Sequence, residues 1–147
     1  MPPEPGLVDA NVLVYAMDED SPQFAASRAI LDAARLGSTI LYVTPQILCE
    51  FYSVVTNGRR VSKPRSPAEG LAALSNLLAF LYVLPVPAST VDGLIALLHQ
   101  RPVTGADVFD LQIVATMRAN NISRIYTFNS GDFDFFLDLE VLTPRLT

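Results

Sequence analysis

The sequence predicts an α/β fold: a three-layer α/β/α sandwich around a mostly parallel central sheet. Three observations carry that expectation. Short apolar runs alternate with helix-length amphipathic stretches along the whole chain. One apolar run, Leu7-Val8, ends abruptly on an acid, Asp9, with a second apolar run directly behind it. Helix-starting and helix-stopping residues punctuate the transitions. No repeat, low-complexity tract or linker interrupts the pattern, and 147 residues suit one domain spanning 1–147.

Taken in order, Leu7-Val8 is expected to be a buried strand ending at Asp9, with a helix opening just after it. Ser21-Pro22 reads as an N-cap followed by proline at the first helical position. That helix runs to about Leu36, with Phe24, Ala29, Ile30 and Ala33 at helical spacing, and Gly37 closes it. Ile40–Val43 reads as the second strand. Pro45 opens a helix to about Thr56, which Asn57-Gly58 stops. Ser66-Pro67-Ala68-Glu69 is a capping box opening a helix to about Phe80, and Tyr82–Leu84 reads as the third strand. Thr90 is expected to cap a helix to about Gln100. Thr104-Gly105-Ala106-Asp107 resembles a capping box with Asp in the Glu place, opening a helix to Asn120. Arg124–Thr127 reads as the fourth strand and Glu140–Leu142 as a last edge strand.

Half of the residues are hydrophobic and only 17% are charged, an apolar excess that implies a subunit or partner interface. The one cysteine, Cys49, excludes an internal disulfide and fits a reducing compartment; between Leu48 and Glu50 it reads as a buried filler. Met1-Pro2-Pro3-Glu4-Pro5 has neither a basic nor an apolar signal region, and the greasiest segment, Leu71 to Leu84, is too short and too interrupted to span a bilayer. A cytoplasmic protein without membrane contact is the expectation. A net charge of −5 argues against a general nucleic-acid-coating protein. Yet Arg59, Arg60, Lys63 and Arg65, four of the ten basic residues, fall in one short stretch. That stretch is either a solvated loop or a local guide for a phosphate backbone.

Several acids stand where a core should be. Asp9 is either a helix N-cap or a carboxylate presented at a strand end, where open α/β sheets hold their ligands. Glu50 lies three residues after Ile47 and four before Val54, on the apolar face of its helix, where a carboxylate must be paired, protonated or metal-bound. Asp107 and Asp110 sit three apart at a helix start. Asp107 serves as a capping acid, whereas Asp110 lines up with Ile113, Val114 and Met117 and lies too deep to cap. Asp132 follows the fourth strand, in a position that an ordinary turn aspartate could also fill. Parallel topology can gather Asp9, Glu50, Asp110 and Asp132 at one sheet edge. Such a cluster repels itself until a cation neutralises it, and all-oxygen ligands suit Mg²⁺ or Mn²⁺ rather than zinc. The single histidine, His99, reads as structural.

These residues resemble the PIN-domain ribonucleases, more closely the toxin half of VapBC-type toxin–antitoxin pairs. The likeness rests on Val8-Asp9-Ala10-Asn11-Val12-Leu13, Glu50-Phe51, Asp110-Leu111-Gln112-Ile113-Val114-Ala115-Thr116 and Thr127-Phe128-Asn129-Ser130-Gly131-Asp132-Phe133. It implies that Asp9, Asp110 and Asp132 hold one or two Mg²⁺ or Mn²⁺ ions and that Glu50 orients or deprotonates the attacking water. Asn11, Asp107, Thr127 and Asn129 would support them, in metal-assisted hydrolysis of RNA. It further implies an antitoxin chain as partner, while the apolar excess suggests a homodimer. Many members end in Thr-x-Asp-x-Asp-Phe; here Asn129 holds the first acidic place and the loop is one residue longer. Either Asn129 or Asp132 completes the site, and the full charge of Asp132 favours it as the ligand, with Asn129 supporting through a hydrogen bond. Two other readings compete. One is a non-catalytic RNA- or protein-binding module of the same fold. The other is a haloacid-dehalogenase-type phosphoryl transferase with Asp9 as nucleophile, disfavoured because Asn11 stands where a second Asp is needed.

Overall fold

The computed structural model describes residues 1–146. Its elements run β1 (Gly6–Val8), α1 (Ala10–Tyr15), α2 (Phe24–Arg35), β2 (Leu41–Val43), α3 (Pro45–Val55), α4 (Pro67–Leu78), β3 (Tyr82–Val83), α5 (Thr90–Gln100), α6 (Val108–Ala119), β4 (Arg124–Tyr126) and β5 (Glu140–Leu142). Short 3₁₀ turns cover Gly105–Asp107 and Ser130–Asp132. Every strand pairing is parallel, and the order β3-β2-β1-β4-β5 puts β1 in the middle. Leu7 and Val8 are wholly buried, as a strand covered on both faces requires.

Helix contacts follow the crossovers. α1 packs on α2 and α3, α3 packs on α4, and α5 packs on α6. The crossovers from β1 to β2 and from β2 to β3 run one way across the sheet, while that from β3 to β4 runs back past β1. Right-handed connections therefore lay α1–α4 on one face and α5–α6 on the other, which makes the three expected layers. Where the direction reverses, the carboxyl ends of β1 and β4 lie side by side, tied by the Asp9 N–H donating to the Tyr126 carbonyl at 3.0 Å. An open α/β sheet holds its ligand in that crevice.

Local signals explain most boundaries. Gly37 ends α2 at φ +79, with the Ser38 N–H returning to the Ala33 carbonyl. Thr44 caps α3 through the Ile47 N–H, and Pro45 stands at its first position. The Ser66 capping box is complete: its hydroxyl accepts from the Glu69 N–H and the Glu69 carboxylate accepts from the Ser66 N–H.

Four local expectations are corrected. Ser21-Pro22 does not start α2, because the Ser21 hydroxyl closes a turn onto the Gln23 N–H and the helix begins at Phe24. Thr90 is not a cap: it lies inside α5, its hydroxyl buried and unpartnered, while backbone carbonyls of Pro87 and Ala88 serve the first amides. Thr104 and Asp107 form no capping box. Gly105 at φ +59 breaks the helical path between them, neither side chain caps, and α6 starts at Val108. Cys49 is exposed, since the buried stripe of α3 is Ile47-Phe51-Val55 and a residue two places after Ile47 points to the opposite side. Among the described residues, no helix is long and apolar enough to cross a membrane.

Candidate active site

At the carboxyl edge of the sheet a cleft of about 510 Å³ opens between β1, α3, α6 and the turn after β4. Asp9, Glu50, Asp110, Asn129 and Asp132 line it, together with Asn11, Tyr15, Asp18 and Arg60. The acids expected from sequence therefore share one cavity although they come from four separate elements.

Asp9 does both things its sequence allowed. Its Oδ1 accepts the Ala10 N–H at 2.8 Å, so it caps α1. Its Oδ2 accepts the Thr127 hydroxyl at 2.8 Å and the Asn11 amide at 3.2 Å. Thr127 is wholly buried, and its oxygen accepts from the Asn11 amide at 3.1 Å and the Asn129 N–H at 3.0 Å. The Asn11 carbonyl in turn accepts the Phe128 N–H at 3.0 Å. Asn11 and Thr127 thus stitch the ends of β1 and β4 together around a carboxylate that is only 7% exposed. Every donor to that carboxylate is neutral. Burial pushes its pKa up, and the charge of Asp132 adds to the effect against the pull of the Thr127 and Ala10 donors.

Glu50 projects from α3 at the edge of the buried stripe. Its Oε1 accepts the Gln46 amide at 2.9 Å, and the same amide nitrogen donates to the Phe109 carbonyl at 2.9 Å. Gln46 thereby bridges α3 to the start of α6 and orients the carboxylate. Burial and then the Asp9 charge raise the Glu50 pKa, while Gln46 opposes them. Asp110, in the first turn of α6, is half-buried; its pKa is pushed up to about 7 by burial first, then by Asp132, Asp9, Glu50 and Asp107. Asp132 stands exposed on its 3₁₀ turn at the cleft wall. Asn129 lines the cleft too, but the hydrogen bond it makes to Thr127 comes from its backbone N–H. Asp107 is exposed and outside the cleft lining, reaching the site through its charge on Asp110.

The four basic residues separate. Arg60 lines the cleft. Arg65 donates to the Met17 carbonyl at 3.0 Å, Lys63 stands 3.7 Å from Asp20, and Arg59 is exposed outside the cleft. Two lining or orienting residues, Asp18 and Gln46, were not expected. Asp18 sits in the acidic run Asp18-Glu19-Asp20, which reads as a solvated turn. Gln46 carried one signal, its place four residues before Glu50 on one helix face.

The donor set suits a hard divalent cation: five carboxylates, no histidine and no thiolate line the cleft. Among the described residues the acids do not close into a ready-made cage of three or more ligands. Nothing but burial and mutual repulsion acts on Asp110, and a cation bound among these acids would relieve that repulsion.

A parallel α/β sheet with a cluster of carboxylates at its switch point defines the class: an α/β protein with an acidic cleft at the carboxyl edge of its sheet. The profile of the PIN domain family matches residues 6–135, and the chain belongs to that family. Ribonuclease VapC43 of Mycobacterium tuberculosis is 38% identical over 72 residues, 49% of each chain, so the match spans about half the length of the curated relative. Two solved structures share the fold. VapBC2 from Rickettsia felis, bound to a promoter DNA fragment, gives a TM-score of 0.67 at 18% identity over 96% of this chain and 99% of that one. A toxin–antitoxin complex from Klebsiella pneumoniae gives 0.63 at 15% identity over 97% and 99%.

Proposed function

We propose that the chain is a single-domain, metal-dependent endoribonuclease acting as the toxin of a toxin–antitoxin pair in the cytoplasm. The observation that carries this reading is the gathering of Asp9, Glu50, Asp110 and Asp132 in one cleft of a PIN fold with only neutral donors on Asp9. The ribonuclease name of the relative and the toxin–antitoxin complex among the structural neighbours support it.

On this reading Asp9, Asp110 and Asp132 would hold Mg²⁺ or Mn²⁺, with Asn129 behind them. When bound, the cation supplies Lewis acidity for the attacking water and the leaving 3′ oxygen. Glu50, its pKa raised and its carboxylate held by Gln46, accepts the proton of that water. The water oxygen would form a bond to phosphorus as the P–O3′ bond breaks and the departing O3′ takes a proton from solvent, leaving a 5′ phosphate and a 3′ hydroxyl. Thr127 and Asn11 keep Asp9 aimed at the cleft throughout.

Two protein partners belong to the reading. A second copy of the chain would cover exposed apolar side chains on α4, β3 and α5: Leu71, Leu78, Tyr82, Val83, Val91 and Ile95. An antitoxin would close the acidic cleft. The deciding experiment measures Mn²⁺ affinity and RNA cleavage in Asp9→Asn, Asp132→Asn and Asn129→Ala. Asp9→Asn and Asp132→Asn should lose both, whereas Asn129→Ala should cost about 10–100-fold. Full metal binding in Asp9→Asn would refute the site. Abolished binding in Asn129→Ala with intact Asp132→Asn would reverse the two roles.

A further inference from the structure

The loop between α3 and α4 holds its bases in unlike states. It is folded at one end by Asn57, whose side-chain oxygen accepts the Arg59 N–H at 2.9 Å and whose carbonyl accepts the Arg60 N–H at 2.9 Å. At the other end the Arg65 N–H donates to the Val55 carbonyl at 2.7 Å, and the Arg65 guanidinium reaches the Met17 carbonyl behind α1. Lys63 stands opposite Asp20. Lys63 and Arg65 face a second, smaller hollow of about 300 Å³, together with Asp18, Glu19 and Asp20, so their charges already have company.

Arg60 differs from all of these. It lines the acidic cleft, where five carboxylates and one guanidinium make up the ionisable wall apart from Tyr15. Among the described residues the ion pairs involve other arginines and Lys63, and none joins Arg60 to an acid. Nor does any basic group figure among the influences on Asp9, Glu50 or Asp110. Arg60 is exposed on the cleft wall. A guanidinium there only to neutralise the acids would be found on a carboxylate; one on the same wall without a carboxylate partner is available for an anion that enters, and the forked donors of arginine match phosphate.

We propose that Arg60 receives a phosphate of the RNA strand beside the carboxylates and is the residue through which this loop acts on substrate, whereas Lys63 faces Asp20 and Arg65 holds the loop in place. The assignment rests on the nuclease reading and deepens it. The acids take the cation side of the scissile region, and Arg60 takes a backbone phosphate on the other wall. Because the loop is pinned at Asn57 and Arg65, the backbone that carries Arg60 is set at the cleft before substrate arrives, and its exposed side chain needs only to settle onto the phosphate.

The test is binding without turnover. A fluorescein-labelled single-stranded RNA of ten nucleotides is titrated by anisotropy into Asp9→Asn protein across a KCl series, with Arg60→Ala, Arg60→Lys or Arg59→Ala added. Arg60→Ala should weaken binding about tenfold and flatten the slope of log affinity against log salt by about 0.7, the contribution of one phosphate contact on a single strand. Arg60→Lys should keep most of the slope but lose affinity, and Arg59→Ala should change affinity less than about twofold. Thermal melts should show Arg60→Ala unchanged and Arg65→Ala lowered. Equal losses in Arg59→Ala and Arg60→Ala, an unchanged Arg60→Ala slope, or no RNA binding by the Asp9→Asn parent each overturn the assignment. A wild-type protein that cuts no RNA with Mn²⁺ present overturns the nuclease reading instead, and the binding comparison continues to judge Arg60.

Discussion

Asp9 and Asp110 carry similar charge at the same cleft, yet they answer differently to loss of it. Each oxygen of Asp9 is an acceptor already in use, by Ala10, Asn11 and Thr127, so an asparagine there must turn its amide onto one of those donors. Asp110 has only burial and four neighbouring acids acting on it. Its folded pKa of about 7 lies above the ordinary carboxylate value, so between the two the folded protein holds a proton that the unfolded chain has released. Metal-free stability therefore falls as pH rises from about 4 through 7. Asp110→Asn should melt higher than the wild type at pH 8 in EDTA and no higher at pH 4; an equal difference at both pH values would refute the coupling. Thr127 gives a second residue-scale expectation. It donates its only proton to Asp9 while accepting from two nitrogens, so Thr127→Val keeps the volume and removes three hydrogen bonds, leaving Asp9 and Asn11 only each other at that point and the Asn129 N–H without its acceptor. Denaturant unfolding should show a loss of about 1–3 kcal/mol, with Thr127→Ser close to wild type. Asp9, Glu50 and Asp110 were legible in sequence because each interrupts an apolar pattern, whereas Asp132 lies in a polar turn and was marked only by its place just after a strand and by the family resemblance. Asp18 was not, since nothing local tells a cleft wall from a solvated turn.

Helix existence and type were readable from spacing, and the discrepancies arose where backbone geometry outbid a capping side chain. Ser66 caps as expected because proline at the first helical position and Glu69 agree with it. Thr104 fails because Gly105 turns the chain into the left-handed region before the helix can begin. The meeting of α3 and α4 depends on a residue whose role no sequence pattern announced. A Cβ on Gly70 would stand 2.8 Å from Tyr52 Cε2 and 3.0 Å from Thr56 Cγ2, so glycine there is what lets the helices approach. Gly70→Ala gains helix propensity of up to ~1 kcal/mol but overpacks the contact by about 1–3 kcal/mol. A net loss on the order of 1 kcal/mol is expected in chemical denaturation, and a more stable variant would contradict the close approach.

At the scale of the whole molecule, the apolar excess seen in composition is only partly absorbed by the core. Tyr82 and Val83, the whole of edge strand β3, are both exposed, and Val91 and Ile95 on α5 are exposed as well. Sedimentation at high micromolar concentration should give a dimer of the wild-type chain, and Ile95→Glu with Val91→Glu should shift it to monomer without loss of fold. A monomeric wild type would leave that apolar surface without the assigned occupant.

The place of β1 between β2 and β4 has a temporal meaning as well. Asp9 leaves the ribosome well before the hydroxyl that orients it, which belongs to Thr127, 118 residues later. Pairings of such separation close late and make folding slow. While the nascent chain is short of β4, the Asp9 carboxylate lacks its neighbour and the middle strand has an open edge. The acidic cleft can therefore assemble only once β4 has emerged and paired with β1.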